Sequence, residues 1–356
     1  MKKLALIGCG GIGGYHLGHF LQFEDIELVG FCDIIPERAE DYASKARETA
    51  QGKNARAFTC YKEMYDQVKP DMVFICVPPT EHGEMEMETI RRGIHMFVEK
   101  PVALTMELAR QIRDEIQKAG LIAASGFQLR YDNLVDPVKE FIKDHEVVYI
   151  DCARIGGIPG TPWWKKRSTS GGQIVEQTIH QFDMIRYVFG EPETVFTMGT
   201  KGFVTGVEGY DTEDLTSTIV KFQSGALATI STGCYASDGA AADSKITFGA
   251  RDSRLDFYPA VKVNIFGVQP PETEESFTNQ VIQGDGSLSR SVNEGAVSYQ
   301  SSVDYGLTCD RTFVDAVITG DPSKIRSPYA DAVKSVIFTL ACNQSMDTGL
   351  PVKIEY

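Results

Sequence analysis

A chain of 356 residues, 42% of them hydrophobic, has the length for about two domains and the apolar material for a sizeable core. A formal charge of −14 excludes partners held through phosphate backbones, which need a basic surface, so no nucleic acid is expected. No apolar run approaches the roughly 20 residues of a membrane span, so no membrane is expected, and a first strand starting almost at Met1 argues against a leader. Eight scattered cysteines without a C-x-x-C point to no metal and no disulfide framework, and suit a reducing cytoplasm.

The stretch 4–14 (LALIGCGGIGG) reads as a buried strand running into a glycine turn that opens a helix. Gly8, Gly10 and Gly13 match G-x-G-x-x-G, with Gly11 and Ile12 completing the turn. One glycine permits the tight turn, one lets backbone N–H groups approach a pyrophosphate, and one lets helix and strand pack closely. The helix N-terminus then faces the phosphates with its partial positive charge. Asp33 ends the next apolar run about 20 residues on, where a ribose-binding carboxylate belongs. Ile34 and Ile35 follow it instead of arginine, and a carboxylate there repels a 2′-phosphate, so NAD is expected over NADP. Arg38, one turn into the helix that Pro36 opens, is either a solvated charge or a weak counterweight to that preference.

Strand and helix signals then alternate, as a doubly wound parallel sheet requires. Residues 72–77 form a buried strand, and ligands in such sheets lie outside the carboxyl ends of strands, which places Val77, Pro78, Thr80 and His82 near the cofactor. A helix over 81–92, a strand over 95–98 and the triplet Glu99-Lys100-Pro101 follow. Lys100 thus falls at a strand end beside the expected nicotinamide. A helix over 104–118, C-capped by Gly120, and a strand over 121–127 complete about six strands.

The glycine turn, Asp33, the segment CVPPTEH at 76–82 and above all EKP at 99–101 resemble the Gfo/Idh/MocA family, as do FQLRY at 127–131 and the closing SMDTGLPV. That resemblance covers essentially the whole chain. It implies an NAD(P)-dependent dehydrogenase of sugars or inositols, with an N-terminal Rossmann domain (1–127) and a C-terminal α+β domain (128–356) built on an open, mostly antiparallel sheet. It also implies cofactor contacts from Glu99, Lys100 and Gln128, and a homodimer or homotetramer formed through the open sheet face.

The second half begins where the pattern changes, near residue 128, without a linker. Residues 147–155 alternate as a strand and lead into the loop GGIPGTPWW. Its Trp163 and Trp164 are either packing residues or a wall on which a sugar's C–H face stacks; Lys165, Lys166 and Arg167 beside them read as a solvated basic cluster. Residues 173–189 read as one helix, whose spacing puts Glu176, His180 and Asp183 on one face. A polar stripe on an apolar helix needs a cavity, a ligand or solvent. The stretch also matches the family's H-x-x-D pattern, which implies a catalytic His180; Glu176 stands where many members carry aspartate. Strands over 215–222, 225–234, 245–248, 255–257 and 261–266 suggest an antiparallel meander. The polar segment 269–299 is a lid or an excursion, and helices over 307–319 and 330–346 close the chain.

The expected reaction is oxidation of a secondary hydroxyl of a sugar, glycoside or cyclitol. His180 is the base, Lys100 stabilises the developing alkoxide, and Glu176, Asp183, Arg130 and Trp164 position the substrate. A sensor without catalysis, an enzyme with tightly held self-recycling NAD, and a reductase of conjugated double bonds are the rivals. Retention of both Lys100 and His180 argues against the sensor.

Overall fold

The computed structural model describes residues 1–268 and 296–356, and between them the backbone of Ser276–Ile282 and Leu288–Glu294. The first half alternates β1 (Lys2–Ile7), α1 (Gly11–Phe20), β2 (Ile26–Cys32), α2 (Pro36–Arg47), β3 (Arg56–Phe58), α3 (Tyr61–Val68), β4 (Met72–Ile75), α4 (Glu84–Arg91), β5 (His95–Val98), α5 (Met106–Ala119) and β6 (Ala123–Ser125). Its six strands pair in the order β3-β2-β1-β4-β5-β6, all parallel. Every residue of β4 is buried, because helices cover both faces of such a sheet. Strand order reverses between β1 and β4, which opens the crevice where a doubly wound fold binds its ligand.

Several boundaries are tighter than the sequence suggests. The helix expected over 81–92 starts at Glu84, because Gly83 takes a φ of 132° and the Glu86 carboxylate accepts its N–H at 2.6 Å. The strands expected over 72–77 and 121–127 shrink to β4 and β6. Thr105 and a left-handed Gly120 cap the two ends of α5.

The second half holds α6 (Val135–Asp144), β7 (Val147–Ile155), α7 (Arg167–Ser170), α8 (Gln173–Glu176), α9 (Ile179–Phe189), β8 (Pro192–Thr200), β9 (Leu215–Phe222), β10 (Leu227–Gly233), β11 (Asp243–Ala250), β12 (Arg254–Tyr258), β13 (Lys262–Phe266), β14 (Ser276–Ile282), β15 (Leu288–Glu294), β16 (Val297–Gln300), α10 (Tyr305–Thr319), α11 (Tyr329–Thr348) and β17 (Val352–Lys353). Nine strands form one sheet, β16-β13-β12-β11-β7-β10-β9-β8-β17, antiparallel except for the β7/β10 pair. Of the segment 269–299, β14 pairs antiparallel with β15 and Val297–Tyr299 pairs with β13; residues 269–275, 283–287 and 295 lie outside the described residues. The single helix expected over 173–189 is two. Thr178 interrupts it at φ −100°, ψ 4°, and its hydroxyl takes the Gln173 carbonyl at 3.2 Å, the competition by which short hydroxyl side chains unsettle a helix.

One element crosses between the halves. α10 lays Cys309, Phe313 and Val317 into the core of the first sheet beside Phe20, Phe74 and Phe97, with the Phe74 and Phe313 rings 5.4 Å apart. A buried polar cluster joins it there. Asp310 Oδ2 accepts from His16 Nδ1 at 2.7 Å and from His19 Nδ1 at 2.6 Å, while His16 Nε2 reaches Glu99 at 3.1 Å. Burial alone lowers the pKa of His16, but the Asp310 carboxylate outweighs it and holds the imidazolium well above its ordinary value. A raised folded-state pKa gives stability that is full below about 6.5 and lost as pH rises through the folded value. Thermal unfolding of His16→Gln is therefore expected to lose less stability than the wild type between neutral and alkaline pH.

Candidate active site

The glycine turn sits at the carboxyl end of β1. Gly8 has φ 91°, and a Cβ there would fall 2.1 Å from the Cys76 carbonyl oxygen; a Cβ at Gly13 would fall 2.1 Å from the Gly8 oxygen. Both positions exclude side chains because backbone already fills the space. Gly10 and Gly11 face open space, and α1 starts with neither an acidic residue in its first turn nor a side-chain cap. Its first N–H groups are thus free for an anion. Asp33 accepts the Cys9 N–H at 2.8 Å on one oxygen and the Ile35 N–H at 2.9 Å on the other, which aims the carboxylate while leaving lone pairs for ribose hydroxyls. Ile34 is 88% exposed and Ile12 is exposed beside the turn, an apolar flank for a planar base. These residues fit a dinucleotide. Gly8→Ala is expected to abolish NAD binding in calorimetry and to lower the melting temperature.

Lys100 follows β5 and extends its Nζ to Glu176, 3.1 Å from both Oε1 and the backbone oxygen, which ties the first sheet to the end of α8. One residue into α9, His180 buries Nδ1 without a hydrogen-bond partner, its ring edge-on to Phe127 at 6.1 Å. Burial first, then the nearby charges of Lys100 and Arg154, lower its pKa to about 3. At neutral pH the site therefore presents an uncharged imidazole beside a Lys–Glu pair.

Residues 2–127 match the family model described as "Oxidoreductase family, NAD-binding Rossmann fold", and residues 146–254 match the "GFO/IDH/MocA C-terminal domain". The chain belongs to the Gfo/Idh/MocA family. It is 26% identical to a myo-inositol 2-dehydrogenase of Thermotoga maritima over 355 residues, 99% of this chain and 98% of that protein. It is 30% identical to a D-glucoside 3-dehydrogenase of Escherichia coli over 53% of this chain and 54% of that one. The crystal structure of GenD2 from gentamicin A biosynthesis, in complex with NAD, superposes with a TM-score of 0.77, covering 100% of this chain and 97% of that one at 19% identity, a likeness of fold. The N-terminal sheet of this Gfo/Idh/MocA protein is accordingly an NAD-binding domain.

Several residues singled out from the sequence sit elsewhere. Asp183 does not share the His180 site; it is buried and holds the fully buried Arg130, whose Nε lies 2.9 Å from it and whose Nη1 lies 2.6 Å from Asp331. Neither Arg130 nor Asp183 has a face left for substrate. Trp164 is fully buried against Tyr210, a packing residue and not a sugar wall, whereas Trp163 stays half-buried. Glu99 turns inward to His16 and to the Lys100 N–H, and its carboxylate fills the space a side chain at Gly126 would need, so it holds the Lys100 turn. His82 is buried on Glu86 at 2.6 Å, packed against α4 and not on an open lip.

Val77 and Pro78 are half-buried at the end of β4, Thr80 is exposed there, and Arg38 is exposed on the first turn of α2. Gln128 and Tyr15 converge on Gly306 of α10, where a Cβ would meet both side chains. Sequence reasoning missed Tyr15, Gln177 and Arg154. Of these, Arg154 had a legible signal, since alternation along β7 puts it on the face of the buried Ile150 and Cys152.

Proposed function

We propose that the protein oxidises, reversibly, a secondary hydroxyl of a sugar, glycoside or cyclitol with NAD. The observation that carries this reading is the meeting of Lys100, Glu176 and an uncharged His180 with an unpartnered ring nitrogen at the carboxyl end of β5, in a chain whose glycine turn and Asp33 fit a dinucleotide. The similarity to inositol and glucoside dehydrogenases supports a polyol substrate. When bound, the nicotinamide supplies the acceptor for hydride from carbon. His180 takes the hydroxyl proton, Lys100 stabilises the alkoxide charge that develops, and Glu176 holds the ammonium at that point. Asp33 supports NAD over NADP, since its carboxylate would accept from ribose hydroxyls and would repel a 2′-phosphate.

We further propose that residues 1–127 carry the dinucleotide and 128–356 the substrate and the assembly surface. The exposed Tyr149, Ile219 and Leu227 on the outer face of the nine-stranded sheet support a homodimer or homotetramer. All eight cysteines are free, and none of the described helices is long and apolar enough to cross a membrane, which accords with a cytoplasmic setting.

Lys100→Met tests the division of labour. Turnover should fall by about 10²–10³-fold while the NAD dissociation constant changes less than about twofold. An equal loss in both makes Lys100 a cofactor ligand and removes its role at the alkoxide. The same variant deletes a cation beside His180, so the imidazole pKa measured by NMR should rise from its wild-type value.

A further inference from the structure

We propose that the substrate carries an anionic group, a carboxylate or a phosphate, that docks on Arg154. This rests on the polyol oxidation proposed above and narrows its substrate class. Arg154 lies near the end of β7, paired in the sheet with Thr232 and Ser244, on the face that Ile150 and Cys152 bury. Its guanidinium folds over Gly156. A Cβ at Gly156 would lie 2.5 Å from Nη1 and 3.5 Å from Nη2, so the guanidinium uses the space that the glycine leaves. Gly156 is itself pinned, donating its N–H to Gly233 at 2.9 Å and accepting from Ala236 at 3.0 Å. The next residue, Gly157, accepts from Gln177 Nε2 at 3.2 Å, and Gln177 separates Glu176 from the helix that starts just before His180. Arg154 therefore lies over the loop that Gln177 joins to the end of α8, and its charge reaches His180.

Among the described residues Arg154 has no partner. Lys100 is paired with Glu176, Arg130 with Asp183 and Asp331, Arg186 with Glu191, and Arg167 with Asp347. Arg154, only half-exposed, makes no hydrogen bond or ion pair with any described residue. Two polar atoms of the site are buried without partners among the described residues, Gln177 Oε1 and His180 Nδ1. With the Lys100–Glu176 pair neutral and His180 uncharged, the site keeps one uncompensated positive charge in a chain of net charge −14. A planar guanidinium fork matches a carboxylate or a phosphate with two parallel bonds, and a local positive field in a cleft raises encounter with anions. The dinucleotide's phosphates do not need this residue, since the glycine turn of the first sheet provides for them.

The test compares matched pairs, glucuronate with glucose and myo-inositol 1-phosphate with myo-inositol, in wild type, Arg154→Gln and Arg154→Lys, with folding verified by thermal melts. Wild type should show kcat/KM at least about tenfold higher for the anionic member of a pair, falling with added salt. Arg154→Gln should remove that preference through the KM of the anionic member, and Arg154→Lys should restore part of it. Preference for glucuronate or for the phosphate tells the two sources apart. If no polyol is oxidised, calorimetry of the NADH complex with the same pairs decides the matter: binding of the anionic member, lost in Arg154→Gln, sustains the docking site while the hydride-transfer reading fails. Equal responses to both members of each pair, including none, overturn the proposal, as does an equal loss on both in Arg154→Gln.

Discussion

His180→Ala is expected to lower kcat by about 10²–10⁴-fold while NAD binding stays within about twofold of wild type. The imidazole sits one residue into α9, and its buried Nδ1 has no protein partner to satisfy. Its pKa of about 3 carries a pH prediction of definite sign. An ordinary histidine base gives activity that falls as pH drops through about 6.5; here the imidazole stays unprotonated, so kcat/KM should show no histidine limb there and hold down to about pH 5. Stability has the matching sign. A histidine lowered in the folded state contributes stability above about 6.5 that is lost as pH falls toward the folded value, because the unfolded chain binds the proton first. Urea unfolding between pH 7 and 4 should therefore show a shallower acid loss in His180→Ala than in wild type, about those two values. A variant that keeps turnover removes His180 from the chemistry.

Arg130→Met is the second large effect, and it falls on stability. Arg130 is fully buried, with Asp183 on one side and Asp331 and the Arg326 carbonyl on the other. Arg186 continues the network through Asp331, Ser335 and Glu191. Burial opposes the charge on Arg130, yet the two carboxylates more than offset it and raise its pKa. Removing the guanidinium leaves Asp183, itself buried, with the Ser335 hydroxyl as its remaining hydrogen-bond donor. Breaking one partner out of a buried pair costs about 3–5 kcal/mol. Urea unfolding should show that loss, with NAD affinity little changed. Unchanged stability combined with a raised KM would instead restore Arg130 as a substrate ligand.

The contrast between these two residues shows what the chain makes legible. The glycine turn, Asp33 and Lys100 are local signals, since each is defined by its place at a strand end, and the parallel sheet puts strand ends together. His180 is legible from the polar stripe it forms on an otherwise apolar helix and from its match to the family's H-x-x-D pattern. Arg130 and Asp183 mislead because their pairing spans 53 residues and the third member, Asp331, lies 201 residues from Arg130. No periodicity encodes such a contact. The break at Thr178 depends on a buried hydroxyl that donates to the Gln173 carbonyl, a local bond that spacing alone does not decide. Trp164 reads first as a packing residue and second as a sugar wall, and its burial against Tyr210 agrees with the first. The return of α10 to the first sheet is likewise a tertiary choice, made by Phe313 against Phe74 and by Asp310 against His16 and His19.

The central claim is that this site moves hydride from a secondary carbon of a polyol to the bound cofactor. The measurement that addresses it most directly is isotope transfer. Sugars, glycosides and inositols deuterated at their ring carbons are incubated with NAD and the protein, and the cofactor is analysed by mass spectrometry. The account predicts deuterium in the reduced cofactor from at least one polyol with wild type, and its loss on the same timescale with His180→Ala. Tight NAD binding with no label transferred from any of them would contradict it.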